Sequence, residues 1–159
     1  MRAAGWIVCL ASIGWALTLF AAPRARQDAS LPVVVRTAGV AAYLAGHRLC
    51  HQRPERSFVL HGTPLPVCAR CLGLYVGAPL GAFLILLGAG RPGSWHWSWR
   101  RWRTLLLICA VPTVISLTLE WIGGPSGLWS RALAAFPLGA MGAAIVTAGV
   151  TGRLGPPDR

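Results

Sequence analysis

The feature that most constrains this chain is a series of long apolar runs separated by short segments that carry arginine. The first run, residues 5–22, contains no charged residue and is bracketed by Arg2 and Arg24. A helix needs about 20 consecutive apolar residues to cross the hydrocarbon core of a bilayer. Further runs cover residues 32–50, 72–90, 104–122 and 131–152. We therefore predict an all-α integral membrane protein with about five transmembrane helices, which form a single membrane domain over residues 1–159.

Two of these runs have an alternative interpretation. The first could be a cleavable signal peptide, because it has a short basic start and small residues at Ala21 and Ala22. The second carries Arg36 near one end and His47 and Arg48 near the other, where long side chains can reach the membrane surface. We predict that the second run crosses the membrane. If it lies on the surface instead, four crossings remain.

Composition supports a membrane location. Hydrophobic residues make up 55% of the 159 residues and charged residues only 12%, which excludes an ordinary soluble globule. The 15 basic residues are all arginine, and with four acids they give a formal net charge of +11. Because the arginines lie at the edges of apolar runs rather than along one soluble face, we predict contact with membrane lipids and no nucleic acid.

The distribution of arginine also bears on orientation. With five crossings, six arginines fall on the side of the loop at residues 50–71 and nine on the other side. Since arginine is enriched in cytoplasmic loops, this count favours a position of the 50–71 loop outside the cytoplasm. With four crossings the counts become eight and seven, and they give no orientation.

The 50–71 loop holds the densest group of metal-ligating side chains in the chain. A Cys-His pair precedes a segment with three prolines, and a Cys-x-x-Cys pair follows it. Two closely spaced thiolates combined with a second pair of ligands from another element are typical of a tetrahedral zinc site. The predicted ligands of this zinc site are Cys50, His51, Cys68 and Cys71.

The ligand set and its chemistry leave alternatives open. His47 could replace His51, because the two lie four residues apart on one face of a helix. His61 is the least suitable histidine, since it lies in the middle of the loop, where ordering it costs more entropy. Four protein ligands would make a structural site, whereas three ligands and a water would make a Lewis-acid site. A disulfide or redox pair of Cys68 and Cys71 is a further alternative.

A second polar group is predicted on the same membrane face. The start of the third run and the end of the fourth share a face whatever the number of earlier crossings. Glu120 lies in the fourth run, where an acid is costly, so we expect it to pair with Arg70 or Arg131. Alternatively it lies at the interface and needs no partner. The residues of this predicted polar site are Arg56, Ser57, Arg70, Glu120 and Arg131.

Two other patterns concern helix packing and the opposite membrane face. Gly73, Gly77 and Gly81 recur every fourth residue, which allows close approach of a neighbouring helix or a homo-oligomer through this face. Residues 91–103 interleave tryptophan and arginine, which predicts a belt at the level of the lipid headgroups, with His96 as an interfacial residue. Cys9 and Cys109 lie inside apolar runs and are predicted to be core residues.

The segments CHQRPERSF and PVCARCLGLYVG resemble a family of small multi-pass membrane proteins of bacteria and archaea, named domain of unknown function 2085. Leu72 stands where the family usually has threonine, and Glu120, Trp121 and Arg131 look like its later Asp-Gly and Arg. The resemblance implies a multi-pass protein of a bacterial or archaeal plasma membrane, and it implies no activity. The matching residues are Cys50, His51, Pro54, Arg56, Ser57, Cys68, Arg70, Cys71, Gly73, Tyr75 and Gly77.

Taken together, the residues favour a membrane protein of unknown biochemical role with a zinc site that joins two helices at one face. A membrane-bound thiol oxidoreductase that uses Cys68 and Cys71 is one alternative. A metal-assisted enzyme that acts on a lipid-type or isoprenoid substrate is another. A transporter is less favoured, because the chain has few crossings, one acid within them and no recognisable inverted repeat.

Overall fold

A computed structural model describes residues 2–88, 98–124 and 126–154. The described residues form five α-helices, and the predicted all-α class is therefore confirmed. Between the second and third helices lie a single 3-10 turn, Pro54–Arg56, and an antiparallel hairpin of β1 (Val59–Leu60) and β2 (Thr63–Pro64). The helices are α1 (Arg2–Gln27), α2 (Val33–Leu49), α3 (Ala69–Gly88), α4 (Trp99–Trp121) and α5 (Leu128–Val150).

Four of these helices, α1, α3, α4 and α5, are long and apolar enough to cross a membrane. Large apolar side chains remain exposed along them, for example Ile7, Leu87, Ile115 and Leu133. Such a surface suits hydrocarbon as the solvent, and a helix satisfies its own backbone hydrogen bonds there. The bundle is therefore built to be covered by lipid.

The helices α1 and α3 run antiparallel. Gly5, at the start of α1, lies against Leu86 near the end of α3. Leu19, in the second half of α1, shares a buried cluster with Leu72 in the first turn of α3. The end of α1 and the start of α3 therefore lie on the same membrane face, which we call the cysteine face because Cys68 lies there.

Both ends of α2 also lie at the cysteine face. The helix follows α1 after a short turn, and its Tyr43 hydroxyl donates a 2.7 Å hydrogen bond to the carbonyl of Pro64 in the hairpin. Cys50, which ends the helix, accepts a 3.3 Å hydrogen bond from the N–H of Cys68. This arrangement favours the surface alternative with four crossings, and the second crossing stays a prediction. α2 has 17 residues, including Arg36, which is the lower end of the length that a crossing needs. The contacts at its two ends, rather than its length, distinguish the two alternatives.

With four crossings, the arginine counts on the two faces are eight and seven, so charge gives no orientation. Successive crossing helices run in opposite directions, so the chain passes back and forth between the two membrane faces. The ends of α2 and α4 and the starts of α3 and α5 all meet at the cysteine face. This meeting of four helix ends is what builds the candidate site.

The helices α3 and α5 form the closest pair, and the predicted glycine face is their contact. A Cβ added to any of these glycines would overlap a backbone oxygen of α5, so only glycine allows this approach. A second chain could reach this face only by displacing α5, and a homo-oligomer through it stays a prediction. The glycines Gly73, Gly77 and Gly81 oppose Ala132, Phe136 and Ala140, respectively.

The predicted tryptophan and arginine belt is described only in part. Trp95, His96 and Trp97 lie outside the described residues. Trp102 does not face the headgroups as predicted, because it is 1% exposed and packs in a cluster with Ile85 of α3. Its large ring fills the space where the start of α4 meets α3 and α5.

Candidate metal centre

Three cysteines meet where α2 ends and α3 begins. The sulfur atoms of Cys50, Cys68 and Cys71 all lie within 4.8 Å of one another, and the three residues are half-buried free thiols. Tetrahedral Zn–S bonds of about 2.3 Å keep the sulfurs about 4 Å apart. The three sulfurs can therefore close onto one ion with a small inward movement.

The start of α3 positions the Cys-x-x-Cys pair. The carbonyl of Cys68 accepts a 2.9 Å hydrogen bond from the N–H of Leu72, so Cys68 immediately precedes the first turn. A hydrogen bond with the Cys71 thiol is the largest cause that lowers the pKa of the Cys68 thiol well below its ordinary value of 9.0. Backbone N–H groups of Arg70 and Cys71 act in the same direction, and burial opposes them. Cys68 is therefore a ready thiolate donor.

Gln52 brings Cys50 to this pair, although sequence reasoning did not single it out. Its side-chain amide donates hydrogen bonds to the carbonyl of Tyr43 at 2.8 Å and to the carbonyl of Pro66 at 2.6 Å. The backbone of Gln52 has a φ of 45°, which turns the chain sharply after Cys50. The sequence signal that could have identified Gln52 was its position. It lies two residues after a cysteine, in a segment that must turn before Pro54.

The histidines lie farther from the cluster than predicted. His51 is exposed and lies outside the group that the three sulfurs form, although it borders a cavity that the three cysteines also line. His47 is exposed in the last turn of α2. His61 is exposed at the turn of the hairpin, with a left-handed φ of 51°. The structure thus brings together the three predicted cysteine ligands and none of the histidines.

Cys9 and Cys109 are separate from this group. Cys9 is 1% exposed and packs with Ala82 and Leu86, as expected for a core residue. Cys109 is half-buried in the middle of α4. Neither belongs to the group of possible metal ligands in the described part of the chain.

Glu120, near the end of α4, is surrounded by arginines from three other segments. Its Oε1 lies 2.7 Å from Nη2 of Arg70 and 2.8 Å from Nε of Arg131. Its Oε2 lies 3.8 Å from Nη1 of Arg56. The Glu120 side chain is only 10% exposed. The proximity expected from the order of crossings is therefore present with both predicted arginine partners.

The members of the predicted polar site differ in their other contacts. Nη2 of Arg70 also donates to the hydroxyl of Ser116 at 3.3 Å, a contact that sequence reasoning did not identify. Ser57 is buried, and its hydroxyl donates to the carbonyl of Arg53 at 3.1 Å. Ser57 therefore stabilises the 3-10 turn, whereas Arg56 in that turn points towards Glu120.

One cavity of about 440 Å³ connects the cysteines and the arginines. Its polar lining residues are the three cysteines, residues of the turn after α2, and four arginines. The cavity therefore offers soft sulfur ligands and strong hydrogen-bond donors to the same occupant. The four arginines are Arg53, Arg56, Arg70 and Arg131.

These features define a multi-pass helical membrane protein with a cysteine and arginine site at one face. The chain belongs to the family described as "Predicted membrane protein (DUF2085)", which matches residues 50–146. The match begins at Cys50 and extends beyond Glu120 and Arg131, so it includes both parts of the site. It confirms the family resemblance and the membrane location. The particular membrane stays a prediction.

Two archaeal relatives carry no assigned activity. The uncharacterized protein MJ1492 of Methanocaldococcus jannaschii is 27% identical over 122 residues, which cover 74% of this chain and 72% of the relative. An uncharacterized protein of Methanothermobacter thermautotrophicus is 52% identical over 40 residues, which cover 23% of this chain and 36% of the relative. No solved structure matches the chain.

Proposed function

We propose that this membrane protein holds one zinc ion on Cys50, Cys68 and Cys71, and that the site joins the end of α2 to the start of α3. The observation that carries the proposal is the grouping of three free sulfurs within 4.8 Å from two separate helix ends. Three thiolates favour a soft or borderline cation, and zinc accepts such a set in tetrahedral geometry.

The surroundings of the sulfurs support the same donor set. Cys68 supplies the first thiolate, because the hydrogen bond with the Cys71 thiol lowers its pKa. Metal binding would then displace the proton of Cys71. The guanidinium groups of Arg70 and Arg131 lie in the same cavity and offset the negative charge of three thiolates. His51, which directly follows Cys50 and borders the cavity, is the proposed fourth ligand.

The proposed role is structural. α2 packs against the end of α1, where its Gly39 lies against Ala22 and Ala25, and the segment around its C-terminal end is joined to the hairpin segment by polar contacts of Tyr43 and Gln52. A metal bond between Cys50 and the start of α3 would anchor the end of α2. Because such a site does not exist in the unfolded chain, the free energy of metal binding adds to the free energy of folding.

Metal analysis of the purified protein tests this proposal. The full chain is purified in detergent without chelator, and metal is measured by mass spectrometry. We expect about one zinc per chain, and Cys50→Ser and Cys68→Ser should lose most of it. Cys109→Ser is the matched control, since Cys109 is remote from the group, and it should retain zinc. Substoichiometric metal that Cys68→Ser leaves unchanged would refute the proposal.

A thiol oxidoreductase is the second candidate, and one observation favours it. Cys68 combines a lowered thiol pKa with a position that borders an open cavity, as a nucleophilic thiolate requires. The Cys68 thiolate would attack a substrate disulfide, and Cys71 would resolve the mixed disulfide, which leaves two substrate thiols and a Cys68–Cys71 disulfide. Alkylation trapping in intact cells tests this, because thiols blocked equally under oxidising and reducing conditions exclude such cycling.

A further inference from the structure

We propose that the cavity beside the cysteines is a binding site for a phosphate group, carried either by a lipid headgroup or by a small soluble phosphate ester. Four arginines line this cavity, and Glu120 contacts three of them, Arg56, Arg70 and Arg131. Arginine pairs with phosphate through two parallel hydrogen bonds, which makes it the preferred side chain for such a ligand.

The pairing of the arginines leaves donors available. Arg70 and Arg131 both contact Oε1 of Glu120, whereas Arg56 lies 3.8 Å from Oε2 and is 45% exposed. Arg53 has no acidic partner within the described residues. The Nε of Arg70 is buried and makes no hydrogen bond in the described part of the protein.

The excess of positive charge does not depend on the metal. One zinc ion with three thiolates carries a net charge of minus one, and Glu120 adds another negative charge. Two of the four guanidinium charges would still lack a counter-charge. The inference therefore goes beyond the proposed zinc site, and the two can fail separately.

The position of the cavity suits a phosphate at the membrane surface. Arg70 lies in the first turn of α3 and Arg131 in the first turn of α5. The positive ends of these two helix dipoles point towards the cysteine face, but the negative ends of α2 and α4 point there too. The attraction for an anion therefore comes from the arginine side chains. Because the cavity lies where four helix ends meet at the cysteine face, a headgroup could enter from the bilayer and a soluble ester from water.

The test uses the full chain and measures two probes. Glycerol 3-phosphate is titrated by calorimetry against protein in a neutral detergent. In parallel, native mass spectrometry counts phosphatidylglycerol retained from nanodiscs that also contain phosphatidylcholine. Retention of phosphatidylglycerol alone would identify a lipid headgroup as the ligand, and binding of glycerol 3-phosphate would identify a soluble ester. Absence of binding by both probes would overturn the inference.

Variants of exposed arginines test the binding site without disturbing the fold, because exposed side chains contribute little to folding. Arg53→Gln and Arg56→Gln should each weaken binding about tenfold, as expected for the loss of one charge-assisted hydrogen bond. Arg48→Gln is the matched control, because Arg48 is an exposed arginine at the end of α2 outside the cavity lining, and its binding should equal that of wild type. Equal binding by all three variants would overturn the proposal.

Two further measurements separate this inference from a purely structural role. Glu120→Gln removes the competing carboxylate and should strengthen phosphate binding about tenfold, whereas an arginine cluster that only supports the fold predicts no gain. Binding is also compared before and after zinc removal with a chelator. If the purified protein holds no zinc and still binds phosphate, the zinc proposal fails and this inference stands.

Discussion

Nη2 of Arg70 donates a 2.7 Å hydrogen bond to Oε1 of Glu120 across 50 residues of sequence. The contact joins the first turn of α3 to the last turn of α4. Since Arg70 lies between the two cysteines of the Cys-x-x-Cys pair, the same turn of α3 serves both halves of the site. A substitution at Glu120 should therefore affect the positions of the cysteines.

Loss of the Glu120 carboxylate should destabilise the fold. Glu120→Ala leaves Arg70 and Arg131 without their shared counter-charge in a largely buried position. We expect a loss of about 3 kcal/mol, the size found when one partner of a buried ion pair is removed. Thermal unfolding in detergent measures it. Glu55→Ala, at an exposed glutamate, should change the melting temperature little, and equal effects of both variants would contradict the assignment.

The glycine contact between α3 and α5 gives a second prediction. Gly77→Ala places a methyl group against the backbone of Phe136 and Ala140, which cannot move aside as a side chain could. Overpacking of this kind costs about 1–3 kcal/mol, and we expect a lower melting temperature and lower yield. Gly142→Ala is the matched control on α5, because its Cβ would meet no atom within 4 Å. A lower melting temperature for the control than for Gly77→Ala would refute this contact.

The Cys68 thiol should react at a lower pH than an ordinary cysteine. Because its folded-state pKa is lowered, the thiolate persists as the pH falls from 9 to 7 and is lost only when the pH falls through the lowered pKa. In chelator-treated protein we expect Cys68 to be alkylated by iodoacetamide at neutral pH nearly as fast as at pH 9, whereas an ordinary thiol reacts markedly more slowly at neutral pH than at pH 9. Peptide mass spectrometry resolves the modified site.

Cys71→Ala controls for the cause of this shift. It removes the thiol that makes the largest contribution to lowering the pKa of Cys68. The alkylation profile of Cys68 should then move to higher pH. If wild type and Cys71→Ala share one profile, the hydrogen bond between the two thiols is not what activates Cys68.

Hydrophobicity and spacing predicted much of this structure, because they report on local chemistry. The long apolar runs predicted the four helices that are long and apolar enough to cross a membrane, and the order of crossings predicted the meeting of Glu120 with Arg70. The Cys-x-x-Cys pair and Cys50 could be grouped because each flanks the same loop. In each case the relevant information lies in residue type and in the number of residues between groups.

The features that sequence reasoning missed depend on three-dimensional packing. An apolar run of 17 residues has the same composition whether it crosses the membrane or lies on it, and only the contacts of Tyr43 and Cys50 distinguish the two for α2. Trp102 has the sequence context of an interfacial residue, but α3 and α5 leave space for its ring. The cavity shared by four arginines depends on where the 3-10 turn directs Arg53 and Arg56.

The surface position of α2 gives the last prediction, which concerns topology. If α2 does not cross, the turn before it and the hairpin after it lie on the same membrane face, whereas a second crossing would place them on opposite faces. Ala29→Cys and His61→Cys, both at exposed positions, should therefore be labelled from the same side by a membrane-impermeant maleimide. Arg103→Cys, at the start of α4, should be labelled from the other side. Labelling is measured as the added mass relative to wild type, which corrects for the native cysteines. Opposite accessibility of positions 29 and 61 would restore the five-crossing topology, and the cysteine face would then lose the end of α1.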